Sequence, residues 1–186
     1  DYGRSRGLGD VYKRQIFEVA RDSDIDLVVE LIGGTSSALE LVMLAISNGK
    51  HVVTANKALI AEHGTSILQA AYEANVIVAF EAYVAGGIPI LKSIREGLVA
   101  NKINWLAGII NGTTNFILSE MSSKGRSFES ALEEAQKRGY AEADPTFDIE
   151  GIDASQKLSI LTSMSFGIPL PLDHLFTEGI PEIPLK

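Results

Sequence analysis

From Asp24 onward the chain alternates near-continuous apolar runs with segments whose apolar residues recur at helical spacing. "IDLVVELIGG" is rich in valine and isoleucine and ends in paired glycines, the pattern of a short strand buried on both faces. "TSSALELVMLAISNGK" has a Thr or Ser to cap a helix, an amphipathic body, and Asn48 and Gly49 to stop it. "HVVTA" predicts a second strand, "KALIAEHGTSILQAAYEAN" a helix or two joined at Gly64, and "VIVAFEAYV" a third strand. Strands alternating with helices of this length predict right-handed crossovers and a parallel sheet, half of a doubly wound fold.

After Gly86 and Gly87 the pattern changes. "IPILKSIREGL" predicts a helix with proline near its start, "KINWLAGIIN" a strand, and "GTTNFILSEMSSKG" with "SFESALEEAQKRG" a capped helix pair. In "DIEGIDASQKLSILTSMSFGI" the residues Ile149, Ile152, Leu158 and Leu161 fit one buried face of a long helix. A domain boundary therefore falls near Ala82 to Gly87. The opening "DYGRSRGLGDVYKRQ" is rich in glycine and arginine and shows no period, so residues 1–15 read as a non-native leader. Its "GLGD" is no dinucleotide fingerprint, because no strand precedes it and no helix opens after it.

Composition narrows the partners. With 186 residues and 46% hydrophobic content the chain can bury a real core, and a net charge of -8 argues against nucleic acid or an anionic membrane as partner. The absence of cysteine excludes a disulfide framework, a thiolate zinc site and a cysteine nucleophile. No uncharged apolar run approaches the roughly 18 to 20 residues that span a bilayer, and no signal-peptide core is present at the N-terminus, so the expected location is the cytoplasm.

Three polar stretches stand out against this background. "GYAEADPTFDIEGIDASQKL" concentrates five acids in twenty residues and places Lys157 four residues after Asp153, on one helix face. A solvated ion pair and helix capping by Asp148 account for part of it, but not for Glu142, and a glycine at 151 implies a close approach to the backbone. "TANKALIA" puts Asn56 and Lys57 at the C-terminal end of a strand, the edge of a parallel sheet where ligands bind. "IINGTTNFIL" sets Asn111 to Asn115 between a strand and a helix, more polar groups than capping requires.

"VVTANKALIAEHG", "FEAYVAGGIPI", "NGTTNFILSEM" and "GYAEADPTFDIEGIDASQKLSIL" together resemble homoserine dehydrogenase, and the similarity runs from about Asp24 to the C-terminus. The resemblance implies NADP- or NAD-linked interconversion of L-homoserine and L-aspartate 4-semialdehyde, a step toward threonine and methionine, in a cytoplasmic homodimer. It implies a fold with an incomplete Rossmann-like parallel sheet over 16–82, followed by an α+β catalytic and dimerisation domain over 83–186. By the same resemblance Lys157 is the proton-transfer lysine and Asp153 its neighbour that orients the homoserine hydroxyl. Glu142 and Asp148 line the substrate pocket, and Gly139, with Asn111 and Thr113 of the polar turn, meets the cofactor. Lys57 matches a lysine near nicotinamide and substrate that also carries an acid/base role in some members. A sodium ion is implied at Glu81, Val84, Gly86 and Ile88, through mostly backbone oxygens, as suits a hard cation.

The chemistry asks for these groups. Oxidising an alcohol by hydride transfer needs a base for the hydroxyl proton, and the reverse needs an acid. A free lysine, with a pKa of about 10.4, is a poor base near neutrality. Two lysines sharing a partly desolvated site would lower each other's pKa, while a nearby carboxylate pulls the other way. The family's opening strand, glycine-rich phosphate loop and helix find no match here, and "TEGIPEIPLK" starts a return toward the nucleotide-binding domain and stops, so a fragment without a regulatory domain is expected. The rival readings are a dehydrogenase for another small amino acid and a non-catalytic oligomerisation module. A phosphate-handling enzyme lacks a P-loop pattern. His51, His63 and His174 lack metal-ligand spacing, and Trp105 reads as core or interface.

Overall fold

Three of the apolar runs form parallel strands in the computed structural model, which describes residues 15–183: β1 (Leu27–Glu30), β2 (His51–Thr54) and β3 (Val78–Ala79), in the order β1-β2-β3. The leader expected at 1–15 lies outside the described residues except for Gln15. Between the strands run α1 (Ser36–Ser47) and α2 (Lys57–Glu73). The strand order advances in one direction, so right-handed crossovers place both helices on one side of the sheet.

Burial is accordingly one-sided. Val28, Val52 and Val78 are buried, whereas Leu27 and Val29 on the alternating positions are 47% and 55% exposed. Burial on both faces, expected for "IDLVVELIGG", is thus met on one face only. In α1 the buried residues Ala38, Leu41, Val42, Ala45 and Ile46 follow the helical period. Thr35 adopts helical backbone angles and makes no side-chain capping bond, so the cap expected there is not formed. Asn56 does cap α2, its side chain accepting from Leu59 N–H. Gly64 is buried inside a single continuous α2, which settles the alternative of two helices.

The third apolar run is strand only over two residues. It then turns into α3 (Ala82–Ala85) and, after Pro89, α4 (Ile90–Lys92), which passes into a π-helical turn at Ser93–Gly97. The chain divides into two compact units between Ser93 and Ile94.

The second unit is helical among the described residues. It comprises α5 (Gly112–Lys124), α6 (Phe128–Lys137), α7 (Thr146–Ile149) and α8 (Ile152–Phe166), with a 3-10 turn at Leu172–His174. Asn111 and Ser127 cap α5 and α6, and Gly125 ends α5 in the left-handed region. Ile117 and Met121 of α5 meet Ala131 and Ala135 of α6 in a core closed by Ala141 and Ile180. The strand predicted at "KINWLAGIIN" is not formed: residues 102–111 carry no ladder, and Trp105 and Ile109 are 76% and 79% exposed. Apolar alternation reports fitness for a pleated surface, but a strand exists only where a neighbour supplies hydrogen bonds.

The long helix predicted from Ile149 onward is broken at Gly151, whose φ of +78° no other residue adopts easily. The close approach implied by this glycine is real. A Cβ there would lie 3.1 Å from both Glu178 O and Thr177 Cγ2, and Ile180 N–H donates to Ile149 O at 2.8 Å. The approaching group is the chain's own 177–180 segment, which through Ile180 packs on this turn. Of the predicted face Leu161 is buried and Ile149 and Leu158 partly so, but Ile152 is exposed, and Asp153, Gln156, Ser159 and Ile160 complete the buried side of α8. Gly151→Ala should destabilise the fold by roughly 1–3 kcal/mol. Urea unfolding checks this, and an unchanged midpoint would show that the turn relaxes without loss.

Candidate functional site

Four polar side chains converge where α5 and α8 begin. Asn111 caps α5 by accepting from Thr114 N–H at 2.8 Å, and its amide nitrogen donates to Asp148 Oδ1 at 2.7 Å and Asp153 Oδ2 at 2.9 Å. Lys157 Nζ lies 2.7 Å from Asp153 Oδ2, one turn away on α8, and donates to the carbonyl of Ile110 at 2.9 Å. Asp153 is buried and the Lys157 side chain is 16% exposed, so the pair is largely withdrawn from water. Each group is placed by local structure: Asn111 by its cap, Asp148 by α7, and Asp153 and Lys157 by the new helix start that Gly151 creates.

The turn after α6 carries Gly139, expected at the cofactor, and Glu142, expected at the substrate. Gly139 has a φ of +75°, and a Cβ there would meet nothing within 4 Å. Thr113 Oγ1 donates to Tyr140 O at 2.8 Å, tying this turn to the first turn of α5. Glu142 is exposed, and Gln136 Nε2 holds its carbonyl at 3.1 Å. Asp144 accepts from both the hydroxyl and the amide of Thr146, and those bonds hold its carboxyl below the ordinary value. Because the folded group is the stronger acid, this contribution is full above the unfolded aspartate range. It is lost as pH falls through the lower folded value. The Thr146 amide resonance should therefore titrate with a midpoint below that of an ordinary aspartate. A midpoint at or above the ordinary aspartate value would contradict these bonds.

In the first unit Lys57 opens α2 at the C-terminal edge of the sheet. Beside it, after β1, Gly33 and Gly34 have φ of +70° and +68°, and a Cβ on either would meet nothing within 4 Å. Main chain there is open to a flat ligand, which is what a dinucleotide at this edge requires. Glu81 caps α4, its two oxygens accepting from Leu91 N–H and Lys92 N–H at 2.8 Å each. No cluster of three or more His, Cys, Asp or Glu suited to a metal occurs among the described residues.

The structure thus joins Asn111, Asp148, Asp153 and Lys157 directly and ties the turn carrying Gly139 and Glu142 to Thr113 of α5. The side chains of Asn111 and Thr113, expected to meet cofactor, are engaged internally. Sequence reading missed the Ile110 carbonyl, Gln136, and the buried Glu30 and Thr54 beside Lys57. Glu30 left a signal, as the one acid inside "LVVELIGG". A carbonyl acceptor leaves none.

The sequence model of the homoserine dehydrogenase family matches residues 89–186, and that of its NAD-binding domain matches residues 8–81. A homoserine dehydrogenase of Pseudomonas aeruginosa is 68% identical over 168 residues, covering 90% of this chain and 39% of that protein. The crystal structure of a homoserine dehydrogenase from Thiobacillus denitrificans is 63% identical with a TM-score of 0.87, covering 90% of this chain and 39% of that one. A hyperthermophilic archaeal homoserine dehydrogenase in complex with NADPH is 33% identical with a TM-score of 0.80, over 91% of this chain and 52% of that one. The chain spans about 39% of the length of the bacterial relatives. With the family model matched over more than half of the chain and that of its NAD-binding domain matched ahead of it, the chain belongs to the homoserine dehydrogenase family.

Proposed function

We infer that this chain carries the substrate site of an NAD(P)-dependent oxidoreductase that interconverts L-homoserine and L-aspartate 4-semialdehyde, with Lys157 moving the proton. The observation that carries this reading is the Asn111–Asp153–Lys157 constellation. An ammonium has three N–H donors, and two are directed at Asp153 and the Ile110 carbonyl, so the third direction suits a substrate oxygen. The lysine is oriented before substrate arrives. As an amine Lys157 takes the hydroxyl proton, and as an ammonium it returns one to the aldehyde oxygen in reverse. Asp153 holds the lysine nitrogen in place and balances its charge. Asp148 and the exposed Glu142 complement the substrate ammonium.

The bound nicotinamide supplies the hydride acceptor. Gly33, Gly34 and Lys57 would hold the cofactor, in keeping with the open main chain at both glycines. At the 81–88 turn the Glu81 carboxylate is occupied by its capping role, so a sodium ion there would rest on the carbonyls of Glu81, Val84, Gly86 and Ile88. The exposed Trp105 and Ile109 support a homodimer built on the 102–110 segment, which light scattering tests; a clean monomer removes that part. A cytoplasmic location and a place in threonine and methionine synthesis follow from the same reading.

The deciding experiment is reduction of NADP and NAD dependent on L-homoserine, by this chain and by a full-length family member carrying the same residues. A panel of hydroxy amino acids run alongside separates the rival substrate reading. Indifference to the four-carbon substrate would overturn the assignment.

A further inference from the structure

Glu30 is completely buried at the C-terminal end of β1, directly opposite Thr54 of β2 in the parallel register. Thr54 Oγ1 donates to Glu30 Oε2 at 2.6 Å, while Ile32 N–H and Gly33 N–H donate to Oε1 at 2.8 and 3.3 Å. Thr54 Oγ1 also accepts from Asn56 N–H at 3.0 Å, and Asn56 Nδ2 donates to Gly34 O at 2.6 Å. The bonds close a ring, from Glu30 through Thr54 and Asn56 to Gly34 and back along the main chain. The remaining side-chain atom of Asn56, Oδ1, caps α2 at Leu59 N–H, two residues beyond Lys57.

An apolar side chain would occupy this position at a lower desolvation cost. What a carboxylate adds is two acceptor oxygens, and here three donors use them, two amides of the turn after β1 and the hydroxyl at the end of β2. The ring lies at the ligand edge, and the turns it joins are the one bearing Gly33 and Gly34 and the one bearing Lys57. Hydrogen bonds in a closed, buried circuit reinforce one another, so loosening one corner releases the others.

We propose that Glu30 is a positioning residue that locks the turn after β1 to the turn after β2, so that the open Gly33–Gly34 backbone and Lys57 are presented as one preorganised cofactor-binding edge. The proposal rests on the cofactor reading of that edge, but its core is the coupling of the two turns, which is measurable without ligand. Glu30→Gln keeps an acceptor for the two amides and presents an amide N–H to Thr54 in place of an acceptor. Thr54→Val removes the hydroxyl, and Thr54→Ser restores it. Val42→Ala, in the core of α1, serves as a control for stability alone.

Amide hydrogen exchange on the ligand-free chain is read first. Glu30→Gln and Thr54→Val should speed exchange by about tenfold or more at Asn56 and Leu59 as well as at Ile32 and Gly33. Thr54→Ser should restore protection, and Val42→Ala should lower Tm without this pattern. Acceleration confined to Ile32 and Gly33, or equal acceleration in Val42→Ala, overturns the proposal. Should Glu30→Gln fail to fold, the Thr54→Val and Thr54→Ser pair decides between the same outcomes. NADPH titration follows in a full-length family member carrying these residues, with Kd expected to rise roughly tenfold in the two disruptive variants and to stay within about twofold in the control. Coupled exchange in a full-length parent that does not bind NADPH leaves the lock standing and removes the cofactor reading. Coupled exchange with unchanged NADPH affinity removes the positioning role.

Discussion

Lys157→Met should lower L-homoserine oxidation by between about 100- and 10,000-fold in a full-length family enzyme carrying this segment, the range spanned by general acid–base catalysis. Methionine keeps the aliphatic stem that packs along α8 and deletes only the nitrogen that meets Asp153 at 2.7 Å and Ile110 O at 2.9 Å. The loss should fall on kcat, with NADP affinity preserved, because the proposed role of the lysine is proton transfer at the reacting oxygen and not cofactor binding. Near-normal turnover would remove Lys157 from proton transfer and shift attention to Lys57. Lys57→Met is the matching experiment: a ligand-holding lysine raises KM first, whereas an acid/base lysine lowers kcat.

The second large effect is one of stability. Asn111→Asp retains an N-cap acceptor as good as the original, so if capping were its whole role, the variant would be nearly silent and Asn111→Ala would cost about 1 kcal/mol. The structure gives the amide a second task, as the donor between Asp148 and Asp153. Aspartate supplies no donor there at neutral pH and adds a third carboxylate to the cluster. We therefore expect Asn111→Asp to destabilise by roughly 2–4 kcal/mol, at least as much as Asn111→Ala, from lost charge-assisted bonds and like-charge repulsion. Denaturant unfolding of both variants side by side gives the order, and Asp milder than Ala would show that the cap dominates.

The ion pair alone would not have singled out this site. An i,i+4 acid and lysine on an exposed helix contribute a few tenths of a kcal/mol and carry no functional message. What distinguishes Asp153 and Lys157 is their withdrawal from solvent and the sharing of one Asp153 oxygen between the lysine and an amide 42 residues away. Those are properties of packing. They make the charges costly to leave unpaired, and they orient the lysine through two fixed acceptors.

Much of this was already written in the linear chain. The alternation of apolar runs with amphipathic segments determined a parallel β-α-β unit, because strand and helix periods are local and crossovers have one hand. Caps at Asn56, Asn111 and Ser127 were equally local, each a side chain reaching an amide three residues on. Motif order determined the family, and Gly151 announced a close contact. Tertiary structure decided the rest. It buried one face of the sheet and exposed the other, denied "KINWLAGIIN" a ladder partner, and turned α8 about the left-handed break so that Asp153, not Ile152, faces inward. It also chose the partners of Lys157 and closed the ring around Glu30. Burial, strand pairing and polar satisfaction depend on residues distant in sequence, and composition or periodicity cannot encode which of them meet.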